Sequence, residues 1–127
     1  MLTNLQVADL IERGYGYDGV TEKEVFPYRG ILEMCPMGAA GLAHFNGNID
    51  AFLDEFNFKL SDNVCWGFSG GRALASIIGC ELDLGYVISS KHNTLFCTAK
   101  QIISVLRTFP KHSADEIKEE LERIERI

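Results

Sequence analysis

The chain has 127 residues, a length that suits one hydrophobic core and is short for two. Hydrophobic residues make up 46% and charged residues 24%, the composition of a folded globule, which excludes wholesale disorder, a collagen-like repeat and a disulfide-built miniprotein. Twelve Lys and Arg against 18 Asp and Glu give a net charge of -6 with no basic cluster, so nucleic acid is not an expected partner.

The first segment, Met1 to Gly14, lacks a basic leader, and Asp9 and Glu12 interrupt its apolar residues, so it does not read as a secretory signal. Thr3 with Gln6 makes a capping box. Leu5, Ala8, Leu10 and Ile11 follow at helical spacing until Gly14 supplies a stop. From Gly14 to Glu33, Gly14, Gly16, Gly19 and Gly30 alternate with Tyr15, Tyr17, Phe26 and Tyr28, and Pro27 would break a helix. This is an ordered aromatic loop with room for a short hairpin.

Cys35 and Pro36 stand as the cap and first position of a second helix running to about His44, since proline suits a position whose amide has no helical partner. Gly38, Ala39, Ala40, Gly41 and Ala43 leave it little side-chain bulk, which fits the central, most buried element. The uncharged stretch containing it, Met34 to Ile49, is too short and too polar to cross a membrane. Asn48 can cap a third helix with Ile49, Phe52, Leu53 and Phe56 on one face and Asp50, Asp54 and Glu55 on the other.

Ser61 to Gly71 is turn-rich and holds Trp66. Arg72 to Gly79 reads as a fourth helix with Leu74, Ile77 and Ile78 apolar. Leu82 to Ser89 alternates weakly as Leu82, Leu84, Tyr86 and Ile88, so a short strand competes there with a loop or a helical turn. Thr98 and Gln101 open a fifth helix bearing Ile102, Val105, Leu106 and Phe109 up to Pro110. Ser113 and Glu116 then cap a charged terminal helix, residues 111–127 in all, whose narrow apolar stripe is Ile117, Leu121 and Ile124. Such a helix docks on its own core, pairs with a second copy or another chain, or projects into solvent.

Four cysteines, Cys35, Cys65, Cys80 and Cys97, lie far apart and read as reduced thiols of a cytoplasmic protein. Cys35 at a helix start is where a macrodipole favours thiolate, and His92 with Asn93 could complete a Cys, His, Asn set. Against this, a free cysteine among Met34, Met37 and alanines is ordinarily a small core residue. Gly67, Ser69 and Gly71 satisfy a G-x-S-x-G pattern without the strand that a nucleophile elbow needs. Ser69, Gly70 and Gly71 with Arg72 could instead capture an anion at a helix start. No Cys or His pair has zinc-binding spacing, so neither metal nor cofactor is expected.

The run from Leu10 to Gly14, the Cys35-Pro36-Met37-Gly38-Ala39 helix start, His92 with Asn93, and Thr98 leading to Ile102 and Leu106 together resemble a family of small, mostly helical proteins of unknown function from bacteria and their phages. Asn93-Thr94 departs from the Asn-Asp pair frequent in that family. The resemblance implies an accessory role for a phage or mobile element and no particular activity.

The expected fold is therefore a mainly α single domain of five or six short helices around the small-residue helix, with a small β element near Leu84 to Ile88 as an option. The expected function is non-enzymatic binding of another protein, for instance inhibition of a host defence protein. Tyr15, Tyr17, Phe26, Tyr28 and Arg29 of the loop are the expected contact residues, together with Ile117, Leu121 and Ile124, which could also pair two copies of the chain. The alternatives are a cysteine-dependent hydrolase or transferase using Cys35 and His92, and an anionic-ligand binder at Ser69, Gly70, Gly71 and Arg72. Neither a membrane nor a nucleic acid is an expected partner.

Overall fold

Helix α2 (Pro36–His44) is buried from Pro36 to Ala43, and the rest of the fold is arranged around it. The computed structural model describes residues 1–62, 69–95 and 97–125. Among these, α1 (Asn4–Tyr15), α3 (Ile49–Asp62), α4 (Gly70–Ile78), α5 (Leu82–Leu95), α6 (Ala99–Thr108) and α7 (Ala114–Glu125) complete a mainly helical architecture. Strands β1 (Thr21–Glu22) and β2 (Glu33–Met34) form a small sheet.

The small residues of α2 admit neighbours at backbone distance. On one side Ala39 meets Gly14 of α1 so closely that a Cβ on that glycine would lie 1.9 Å from the Ala39 carbonyl oxygen. On another, the Phe52 ring of α3 occupies the space a side chain at Gly41 would need, 2.3 Å from its Cβ position. Helix α1 also packs on α6, α2, α4 and α5 pack on one another, and α7 closes over α5 and α6. One hydrophobic cluster runs from Val7 in α1 to Leu121 in α7.

The expected helix starts are realised by their caps. Thr3 with Gln6 and Thr98 with Gln101 form reciprocal capping boxes, and Ser113 with Glu116 makes the same exchange. Each cap stabilises its helix by about 1 kcal/mol. Asn4 adds a longer-range tie: its buried side-chain amide donates to the carbonyls of Phe109 and His112, at 3.1 and 2.9 Å, pinning α1 to the turn between α6 and α7.

Two expectations need correction. The segment Leu82 to Ser89 is helical throughout, as the first part of α5. Leu84, Val87 and Ile88 face the core at spacings of three and four, whereas Leu82 and Tyr86, which supported a strand, are exposed. The β element lies instead in the aromatic loop, and it is not a hairpin: Thr21 pairs with Glu33 and Glu22 with Met34 in parallel. Gly30, at φ +87°, turns the intervening chain beside an isolated antiparallel bridge between Tyr28 and Ile31. Among the described residues no helix is long and apolar enough to cross a membrane.

Candidate functional site

The aromatic loop divides into rings that hold the fold and rings that face outward. Tyr15 donates its hydroxyl to the Met34 carbonyl at 2.8 Å, and burial pushes its phenol pKa well above the usual tyrosine range. The Tyr17 ring lies against Gly47, which sits at φ +83°. Pro27 is buried on Gly38, and Phe26 covers Gly70 with its centroid 6.4 Å from that of Phe56. Tyr15 and Tyr17 are thus structural, and the loop is a cover fixed to α2, α3 and α4.

What remains open is Tyr28, 48% exposed, with the edge of Phe26 at 36%. Beside Tyr28, Arg29 bridges two carboxylates of α3, donating to Asp50 at 3.2 Å and Asp54 at 2.8 Å. These acids are four residues apart, and the next position on that face is Phe58, which is 57% exposed. Sequence reading missed Phe58. The available signal was its place off the Ile49, Phe52, Phe56 stripe, on the polar side where an aromatic ring has no core to enter.

Cys35 does cap α2, but it is fully buried and makes no capping hydrogen bond. Burial raises its pKa; the nearby amides of Gly38 and Met37 and the Ser89 hydroxyl oppose this without reversing it. The group is a thiol enclosed in the core, where burial favours its protonated form. His92 does not pair with it: Nδ1 lies 3.0 Å from the Cys97 carbonyl, and Nε2 has no hydrogen-bond partner among the described residues. The dyad expected from the order of residues is therefore not assembled, because α5 turns the imidazole to the chain leading into α6. The Asn93 side chain, together with Cys65, Trp66 and the Gly67-Phe68 half of the G-x-S-x-G pattern, lies outside the described residues.

The glycines before Arg72 are explained by packing. Gly70 accommodates the Phe26 ring, and Gly71 lies against Gly85 and Ser89, where α4 crosses α5. Ser69 caps α4 by accepting from the Arg72 amide at 3.2 Å. The Arg72 guanidinium turns away from that terminus to Asp83, at 2.8 Å, and over the Tyr86 ring, 5.2 Å from its centroid. It borders a cavity of about 350 Å³ with Lys91 and Lys118, in which Asp83 and Asp115 offset two of the three cations. The helix start and the arginine thus do not form the single anion cradle expected from their adjacency.

The terminal helix docks on its own core. Ile117 and Leu121 are fully buried and Ile124 is half-buried, which removes the first two from any partner surface in the folded chain. Burying each of these side chains contributes about 1.5–3 kcal/mol.

No family model, no curated protein and no solved structure matches this chain.

Proposed function

We propose that this chain is a non-enzymatic module that binds another protein through the face formed by the loop and α3. The observation that carries this reading is the exposure of two large aromatic rings near the Arg29 bridge to Asp50 and Asp54: Tyr28, which precedes Arg29 in the chain, and Phe58, one helical turn beyond Asp54. Aromatic residues and arginine are the types that concentrate at the energetic centres of interfaces. The bridge fixes the loop on the helix, so little conformational entropy is lost when a partner docks. Sequestration of the Cys35 thiol supports a binding role over a cysteine-based reaction. The unpaired thiols Cys35 and Cys80 fit a cytoplasmic protein. The resemblance to small bacterial and phage proteins points to a host protein as the partner, with inhibition as the effect.

The test is affinity capture from the native host with the tagged chain, run beside Tyr28→Ala, Phe58→Ala and the double variant. A stoichiometric partner lost in the double variant, whose thermal unfolding matches the parent, is the expected result. Undiminished capture by the double variant would refute the assigned face, and absence of any stoichiometric partner would refute the binding role.

A further inference from the structure

A second feature, at the C-terminal end of α2, involves none of the side chains assigned to that face. Asn46 adopts φ +53° and donates its backbone N–H to the Ala43 carbonyl at 2.9 Å, while the Gly47 N–H donates to the Leu42 carbonyl at 3.0 Å. These two bonds make the Schellman stop of a helix, with asparagine in the left-handed position that glycine usually fills. Asn46 is exposed. Every other asparagine of the chain precedes a bulky residue, Leu5, Ile49, Phe58, Val64 or Thr94, whereas Asn46 precedes a glycine, whose amide nitrogen no side chain shields.

In such a pair the deprotonated glycine nitrogen can attack the asparagine Cγ. A bond forms between that nitrogen and Cγ, the bond from Cγ to the side-chain nitrogen breaks, and ammonia leaves with the amide proton. Water then opens the cyclic imide at either carbonyl, which gives aspartate or a β-linked isoaspartate. The fold opposes this reaction at two points. The Gly47 proton is held on the Leu42 carbonyl, and closing the imide would rotate Asn46 out of the conformation that makes that bond. On its other side Gly47 meets Tyr17: a Cβ there would lie 2.7 Å from the ring atom Cε1, so the glycine cannot turn that way while the ring stays in place.

We propose that Asn46-Gly47 is a site of spontaneous deamidation that the helix stop and the Tyr17 ring hold closed, and that it reacts when the ring lifts and the stop opens. The β-linked product adds a methylene to the backbone at the junction of α2 and α3, beside Asn48, whose side chain accepts from the Ala51 amide at 3.2 Å at the start of α3. Either product also places a carboxylate at the C-terminal end of α2, where the helix dipole disfavours it. Reaction thus leaves a lasting mark on chains in which this junction has opened.

The test incubates the full chain in mildly alkaline buffer, folded and in urea. Peptides containing position 46 are followed by mass spectrometry, and isoaspartate is detected by enzymatic methylation. Product at position 46 should form in urea and at least about tenfold more slowly in the folded chain, a protection of about 1.4 kcal/mol against local opening. Asn46→Gly, which suits the positive φ and removes the reacting amide, should fold and give no product in either condition. Tyr17→Ala should react faster in the folded state than Leu121→Ala, which weakens the chain from α7, when the two are compared at equal unfolding free energy. Tyr17→Phe, which keeps the ring, should behave as the parent. Equal rates in the folded chain and in urea, no product at position 46 in urea, or no excess of Tyr17→Ala over Leu121→Ala would each overturn the proposal. Should Tyr17→Ala fail to fold, Tyr17→Leu, which removes the planar ring, takes its place.

Discussion

The backbone of Gly14 rests directly on that of Ala39: a Cβ at position 14 would fall 1.9 Å from the carbonyl oxygen and 2.4 Å from the carbonyl carbon of Ala39. Neither group is a flexible side chain that could swing aside, so α1 and α2 would have to separate. Gly14→Ala should therefore destabilise the chain by about 3 kcal/mol or more in urea unfolding, at or beyond the upper end for overpacked sites. Gly79→Ala is the comparison: φ is +84° there but nothing lies within 4 Å, so left-handed strain alone should cost about 1–2 kcal/mol. Equal losses in the two variants would show that the α1–α2 approach is looser than described.

Asn4 is a buried polar residue in an otherwise apolar stripe, and both protons of its amide are used. Asn4→Ala leaves the Phe109 and His112 carbonyls without that donor and should cost about 2 kcal/mol. Asn4→Asp should be at least as damaging, since a carboxylate would face two carbonyl oxygens. Hydrogen exchange checks the mechanism: protection should fall first at the start of α1 and in the turn before α7.

Leu121 is fully enclosed, so Leu121→Ala should cost about 2–5 kcal/mol in chemical unfolding. Ile124, half-buried at the end of the same face, should cost distinctly less when replaced by Ala. If instead α7 associated mainly with a second copy, both effects would depend on protein concentration. Unfolding midpoints measured across a wide concentration range separate the two.

Burial pushes the Cys80 thiol up to about 12 from a reference of 9.0, and it raises Cys35 as well. The folded chain therefore holds these protons to higher pH than the unfolded chain does. Their contribution to stability is complete below pH 9 and is lost as pH rises towards 12. Unfolding free energy should fall across that interval, and Cys80→Ala should make the fall shallower. Iodoacetamide at mildly alkaline pH should label Cys35 and Cys80 slowly in the native chain and quickly in urea; fast native labelling of Cys35 would contradict its enclosure.

The helices that announce themselves by chemistry at their ends were legible, because a cap is a local exchange between residues three apart: Thr3 with Gln6, Thr98 with Gln101, Ser113 with Glu116. The small residues of α2 likewise marked the centre of the fold. Helix α5 was not legible, since Leu84 and Ile88 satisfy both a twofold alternation and a four-residue helical step. What favours the helix is tertiary, the close crossing of Gly71 and Gly85, which no local pattern reveals. The loop was legible as a composition but not as a division of labour. Nothing in the order of Tyr15, Tyr17 and Tyr28 states that the first bonds to Met34, the second covers Gly47 and the third faces outward. His92 was legible as a residue type but not in its setting: an imidazole whose Nδ1 lies against the Cys97 carbonyl depends on where α5 ends.

The bonds from Asn4 to Phe109 and His112 span more than a hundred positions of chain. During synthesis, α1 and α2 can meet early, but the acceptors that complete α1 emerge from the ribosome only after α6 has been made. Until then the stripe of α1 that will meet α6 stays open to water. That interval leaves an amphipathic surface accessible to chaperones, and to misassociation between nascent chains.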